Sequence, residues 1–291
     1  MTFAGAHTAL VTPFRDGQFD DQAFRQLIEE QISGGISGII PVGTTGESPT
    51  LDHDEHLRVV DAAVQIANKR CLVIAGTGSN ATGEAISLTR AAEKAGADAA
   101  LLVAPYYNKP SQEGLYRHFK AIAESVQIPI VLYSIPGRCG IEIAVETTLR
   151  LASDCKNIVA IKEAGGSVER VNQLRHALPA GFQILSGDDS LTLPFLSVGA
   201  VGVISVASNI IPAAVADMVR HYLSGDSAKA LEIHLKYYPL FKDLFIEPNP
   251  VPAKFALARL GKMSPDVRLP LCEMAPANVQ RLTETLSRLG L

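Results

Sequence analysis

Lys162 stands at the end of an apolar, β-branched run, Asn157-Ile158-Val159-Ala160-Ile161-Lys162-Glu163-Ala164-Gly165, which reads as a short strand closed by glycine. An ammonium delivered into an apolar interior is costly. Burial favours the neutral amine, and a neutral amine attacks a ketone to form a Schiff base. If Lys162 points inward, strand alternation puts Ala160 beneath it with room for the long stem, and turns Val159 and Ile161 outward. The competing reading is a strand-end lysine that emerges into solvent.

Carbonyl chemistry at such a nitrogen needs proton carriers and an anion site nearby. Gly43-Thr44-Thr45-Gly46 offers two hydroxyls and glycine-exposed amides that could hold a carboxylate or phosphate, although it could equally be a plain strand-to-helix connection. Tyr133 with Lys162 and Thr44 would make a hydroxyl relay to and from a carbonyl oxygen. Arg138 follows in a loop, where its planar fork suits a carboxylate. Gly76-Thr77-Gly78-Ser79-Asn80 lacks the spacing and the lysine of nucleotide loops. His53-Asp54-Glu55-His56 puts two histidines on one helical face without a third ligand at metal-binding spacing, so a solvated helix start is expected. Asp188 and Asp189 are expected to cap the helix after them.

These residues are spaced along a chain in which β-rich runs alternate with helical patterns. Strand candidates are 8–11, 38–42, 72–75, 99–103, 130–133, 158–162, 183–185 and 201–205. Successive βα units of this number and length predict a (β/α)8 TIM barrel, with a doubly wound open sheet as the alternative. Chemistry in such a barrel gathers at the carboxyl ends of the strands, where Thr44, Tyr133 and Lys162 stand. Past residue 225 only helices are expected, at 227–244, 252–260 and 277–289. The predicted division is a barrel over 1–225 and a C-terminal helical appendage over 226–291.

Composition narrows the function classes. The 291 residues carry a formal net charge of -4, which gives nucleic acid no basic surface to bind. The four cysteines, Cys71, Cys139, Cys155 and Cys272, are scattered without zinc-type pairing, and a reducing cytoplasm suits them. Residues 1–9 show no secretory pattern. The charge-free stretch 190–216 is broken by Pro194, Gly199, Gly202, Asn209 and Pro212, so buried strand and helix pieces are expected rather than a membrane span.

Taken together, Gly43-Thr44-Thr45-Gly46-Glu47, Tyr133 two ahead of Ile135-Pro136, and Lys162 within Ile161-Lys162-Glu163 resemble the dihydrodipicolinate synthase and N-acetylneuraminate lyase superfamily. The resemblance covers essentially the whole chain. Arg138, with Asn249-Pro250-Val251-Pro252-Ala253-Lys254 and Arg268-Leu269-Pro270-Leu271, is similar to the synthase branch. Two positions depart from that branch, where Ser134 replaces an asparagine and Cys139 a threonine.

The resemblance implies that Lys162 condenses with pyruvate and that the enamine attacks L-aspartate 4-semialdehyde. Thr44, Tyr133 and a Tyr107 reaching in from a neighbouring subunit would relay protons. Thr45 would hold the pyruvate carboxylate and Arg138 that of the aldehyde, with Gly187 and Ile204 lining the pocket. It implies no metal or organic cofactor, and a homo-oligomer built as a dimer of dimers. Ser48, Pro49, His53, His56, Asn80, Glu84 and Tyr106 resemble the site at which lysine-inhibited members bind L-lysine. The alternatives are another pyruvate-dependent aldolase, acting on N-acetylneuraminate or a 2-keto-3-deoxy sugar acid, and a non-catalytic amino-acid-sensing barrel.

Overall fold

The computed structural model describes residues 1–291, and every predicted β-rich run becomes a strand. They are β1 (Gly5–Ala9), β2 (Gly38–Ile40), β3 (Leu72–Gly76), β4 (Ala99–Val103), β5 (Ile130–Ser134), β6 (Ile158–Glu163), β7 (Gln183–Ser186) and β8 (Gly202–Ser205). All pair in parallel, and β8 pairs back onto β1 to close the barrel. Closure leaves no strand with an unpaired edge. The open-sheet alternative is thereby excluded.

Helices α1 (Asp21–Ser33), α2 (His53–Ala67), α3 (Thr82–Ala95), α4 (Gln112–Ala123), α5 (Val145–Asp154), α6 (Val168–Ala177), α7 (Thr192–Ser197) and α8 (Pro212–Leu223) follow the eight strands in turn. Their starts obey local chemistry. Asp20, Asp52, Ser111 and Ser167 each accept a backbone N–H from the first turn of the helix they precede. Past α8 come only α9 (Ser227–Asp243), α10 (Val251–Arg259) and α11 (Pro276–Arg288), as the loss of β patterning predicts. One apolar cluster runs from the outer faces of the barrel strands through its helices to Leu282 and Leu286 of α11. A separate cluster fills the barrel interior, with Phe3, Ile40, Ile74, Val131, Ala160 and Ile204 among its members.

Three details differ from expectation. The first strand lies three residues ahead of the predicted 8–11, because Gly5 to Thr8 are the residues in register with Gly202 to Ser205. Leu10 and Val11 supply apolar bulk just past the barrel rim, where Asn209 Oδ1 accepts the Val11 N–H at 3.2 Å. A short hairpin, Phe14–Arg15 with Gln18–Phe19, was not anticipated. The third is a bulge in β6, where Ile130 pairs with Ile158 but Val131 pairs with Ala160. Val159 is the extra residue, and it packs towards the barrel interior instead of facing outward. Ile161 faces outward as predicted. The stretch 190–216 breaks into α7, β8 and the start of α8, and no helix of the chain is long and apolar enough to cross a membrane.

Candidate active site

Beyond the bulge β6 returns to regular alternation, so Ala160 and Lys162 share the lumen side. Lys162 is 6% exposed, and its Nζ lies 4.1 Å from the centre of the Tyr133 ring on the adjacent strand. Burial lowers the lysine to about 7, with the carboxylate of Asp189 opposing that fall and the Arg138 cation adding to it. Near neutral pH the nitrogen therefore has a lone pair to offer. Tyr133 is pushed the other way, to about 12, by burial, against the pull of the Arg138 charge and a hydrogen bond with the Thr44 hydroxyl. The phenol keeps its proton and can donate it.

Gly187 makes room for the lysine. A Cβ at that position would stand 3.0 Å from Lys162 Cε and 2.6 Å from the Ala164 Cβ. The strand end is fixed from the other face, where Glu163 accepts the Gly165 N–H at 2.7 Å and the Arg170 Nε–H at 3.4 Å. Ile204 forms part of the interior wall.

The turn after β2 supplies the hydroxyls. Thr44 is half-buried, whereas Thr45 is 3% exposed with its Oγ1 accepting from Asn249 Nδ2 at 2.9 Å. A cavity of about 230 Å³ opens above, with Thr44, Tyr133, Ile135, Arg138 and Cys139 among its walls. Lys162 is not one of those walls, but its nitrogen lies over the ring of Tyr133, which is one. Arg138 is exposed, but it lies in a one-turn helix, Pro136–Cys139, that follows β5, and not in the loop expected from the sequence; its Nη2 donates to the Asn249 carbonyl at 3.5 Å. Ser134 is buried and its Oγ accepts the Ile143 N–H at 3.4 Å, while the Cys139 thiol is held up at about 11 by burial. Tyr107 does not reach this cavity. It is 91% exposed and its backbone is left-handed, with φ 70.

Ser48, Pro49 and Tyr106 line the same cavity, so its wall joins the two predicted residue sets. His53 Nε2 meets Glu84 Oε1 at 2.5 Å, and Ser79 donates its hydroxyl to Glu84. Those two contacts, the serine first, hold the Glu84 carboxyl below its usual value. Asn80 Nδ2 donates to the Tyr106 carbonyl at 3.2 Å, and His56 is buried rather than solvated as expected, its imidazole lowered below its usual value by that burial.

The sequence reading missed Asp189, Glu163 and Arg170. Asp188 forms the turn before α7, accepting the Ser190 and Leu191 N–H groups at 2.7 and 3.2 Å. Asp189 does not share that work. It turns inward, is 1% exposed, and its Oδ2 accepts the Val206 and Ala207 N–H groups at 3.0 Å each, which ties down the end of β8. The paired acidic residues gave no sign that one faces the barrel, because that choice depends on amides some seventeen residues further along.

The Dihydrodipicolinate synthetase family matches residues 2–289. Among solved structures, the 4-hydroxy-tetrahydrodipicolinate synthase of Methylacidiphilum fumariolicum SolV is 57% identical, with a TM-score of 0.98 over 99% of this chain and 96% of its own. The chloride-inhibited dihydrodipicolinate synthase of Acinetobacter baumannii, complexed with pyruvate, is 44% identical with a TM-score of 0.97 over 99% of each chain. The enzyme from Cyanidioschyzon merolae with lysine bound is 43% identical with a TM-score of 0.96 over 99% of each chain.

Proposed function

The chain belongs to the dihydrodipicolinate synthetase family and is a lyase, and from that premise we propose that it condenses pyruvate with L-aspartate 4-semialdehyde to give 4-hydroxy-tetrahydrodipicolinate. The observation that carries the reading is the buried Lys162 nitrogen, lowered to about 7 and set against Tyr133. Its lone pair attacks the pyruvate ketone carbon. The carbonyl oxygen takes up protons through Tyr133 and Thr44 and leaves as water, giving the imine. Loss of a methyl proton gives an enamine, whose terminal carbon bonds to the aldehyde carbon. The amine of the semialdehyde then displaces Lys162 from the imine carbon, closing the ring and freeing the lysine. The lysine serves as the electron sink, so the scheme calls for no metal or organic cofactor.

Thr45, next to Thr44 in the turn after β2, holds the pyruvate carboxylate, and Arg138, which lines the cavity with Thr44, takes that of the aldehyde. Gly187 leaves room for the Lys162 stem, and Ile204 belongs to the barrel-interior cluster that includes Tyr133. The exposure and left-handed backbone of Tyr107 support its donation into the site of a second copy, within a dimer of dimers. Mixing the protein with pyruvate and borohydride, followed by weighing and peptide mapping, tests the chemistry. A mass gain confined to the Lys162 peptide is expected, and no gain refutes it.

L-Lysine is the inhibitor this reading implies, at Ser48, Pro49, His53, His56, Asn80, Glu84 and Tyr106. The support is the carboxylate of Glu84 for an ammonium, the amide of Asn80, and the shared wall through Ser48, Pro49 and Tyr106. Turnover that ignores millimolar lysine, or a Glu84→Ala variant that keeps full inhibition, would remove this part.

A further inference from the structure

The turn that carries Thr44 and Thr45 is fastened by residues more than two hundred positions away. Glu47 lies in that turn with a left-handed backbone, φ 55, and its N–H donates to the Thr44 carbonyl at 3.1 Å. Its carboxylate forms an ion pair with Lys254 of α10, and both side chains are fully buried. The other carboxylate oxygen accepts the Arg268 N–H at 3.0 Å. Lys254 Nζ donates to the Asp266 carbonyl at 2.8 Å and lies 4.1 Å from the centre of the Phe14 ring. Arg268 reaches the same ring at 4.2 Å and forks onto Glu55 at 2.6 and 2.7 Å. Asn249, just ahead of α10, supplies the bond to Thr45 Oγ1.

Two opposite charges taken wholly out of water gain little net stability from each other, because desolvation offsets their attraction. What such a pair does fix is geometry. Glu47 cannot move without pulling on the Thr44 carbonyl, and Lys254 cannot move without releasing Glu47. We propose that Glu47 and Lys254 are positioning residues for the keto-acid carboxylate subsite, through which the C-terminal helices set where Thr44 and Thr45 stand. The inference rests on the reading above that Thr45 holds that carboxylate.

The test compares full-length Glu47→Gln, Lys254→Met and the double variant with the unaltered protein, by borohydride trapping across pyruvate concentrations and by thermal melting. Loss of the positioning contact should raise the pyruvate concentration for half-maximal trapping about tenfold. The double variant should melt above Lys254→Met, which leaves a buried carboxylate unpaired. If Lys254→Met does not fold, Glu47→Gln decides alone, since it keeps the side-chain volume and the acceptor for the Arg268 N–H. A lowered melting point with unchanged half-saturation overturns the proposal and leaves a structural role only. No mass gain by the unaltered protein sinks the keto-acid reading itself and this proposal with it. A mass gain combined with unchanged saturation of Glu47→Gln sinks only the positioning role.

Discussion

The Lys162 nitrogen lies over the face of the Tyr133 ring, 4.1 Å from its centre, and the two residues are direct partners across β5 and β6. A ring face attracts an ammonium by roughly 0.5–2 kcal/mol, which alone would hold the proton on. Burial acts the other way and wins, since the lysine sits at about 7.

Imine formation should accordingly rise with pH through about 7 and level off above it, because only the neutral amine attacks. Initial trapping rates at saturating pyruvate, measured from about pH 5.5 to about 9, check this. A rate still climbing at the upper limit would mean that the amine keeps the affinity for protons of an ordinary surface lysine.

The same burial costs stability. A lysine lowered from 10.5 to about 7 destabilises the fold fully below pH 7, and the cost fades as pH rises towards 10.5. Lys162→Met should abolish trapping yet raise unfolding free energy by a few kcal/mol at pH 6 to 7, with the gain shrinking towards pH 10. Denaturant melts at the two ends of that range give the comparison. Equal gains at both would show that packing, and not charge, is responsible.

Gly187→Ala places a methyl group against Lys162 Cε and the Ala164 Cβ. Overpacking should cost about 1–3 kcal/mol of stability. Displacing the nucleophile should slow trapping by about 100-fold. A variant that traps pyruvate at the original rate would show that the lysine tolerates a shifted stem.

Arg138→Ala should separate the two substrates. Loss of a charged hydrogen-bond donor should raise the aldehyde KM by about 10- to 100-fold, with pyruvate saturation moving little. The Lys162 and Tyr133 protons should both be held more tightly, because the Arg138 cation lowers each. Steady-state kinetics with each substrate varied in turn, together with the pH profile of trapping, would reveal an equal loss for both substrates if the arginine were merely structural.

Much of this was legible along the chain because it is local. Strand runs, helix caps and the residues at strand ends depend on near neighbours, so the barrel and the placement of Lys162, Tyr133 and Thr44 at its carboxyl rim follow from pattern. The start of β1 was misplaced because apolar bulk at Leu10 and Val11 outweighed the pairing partners of Gly5 to Thr8, which lie near the other end of the barrel sequence. The inward turn of Asp189, the Arg170 contact to Glu163 and the reach of Asn249 to Thr45 were invisible for one reason. Each joins segments whose adjacency exists only after closure. Asn249 and Lys254 stand out in the sequence only through resemblance to a family signature, which carries no physical role by itself.

The bulge at Val159 gives β6 its one place of slack. Asn157 anchors the strand's entry by donating to the Ala123 and Val126 carbonyls at 2.9 and 3.1 Å, and from Ala160 onward the register with β5 is strict. Losing the spare residue would restore an unbroken ladder with the lysine still facing the lumen. Losing Ile161 instead would close the bulge in the same way and keep the lysine opposite Tyr133, but it would put the small Ala160 in the outward place that Ile161 fills.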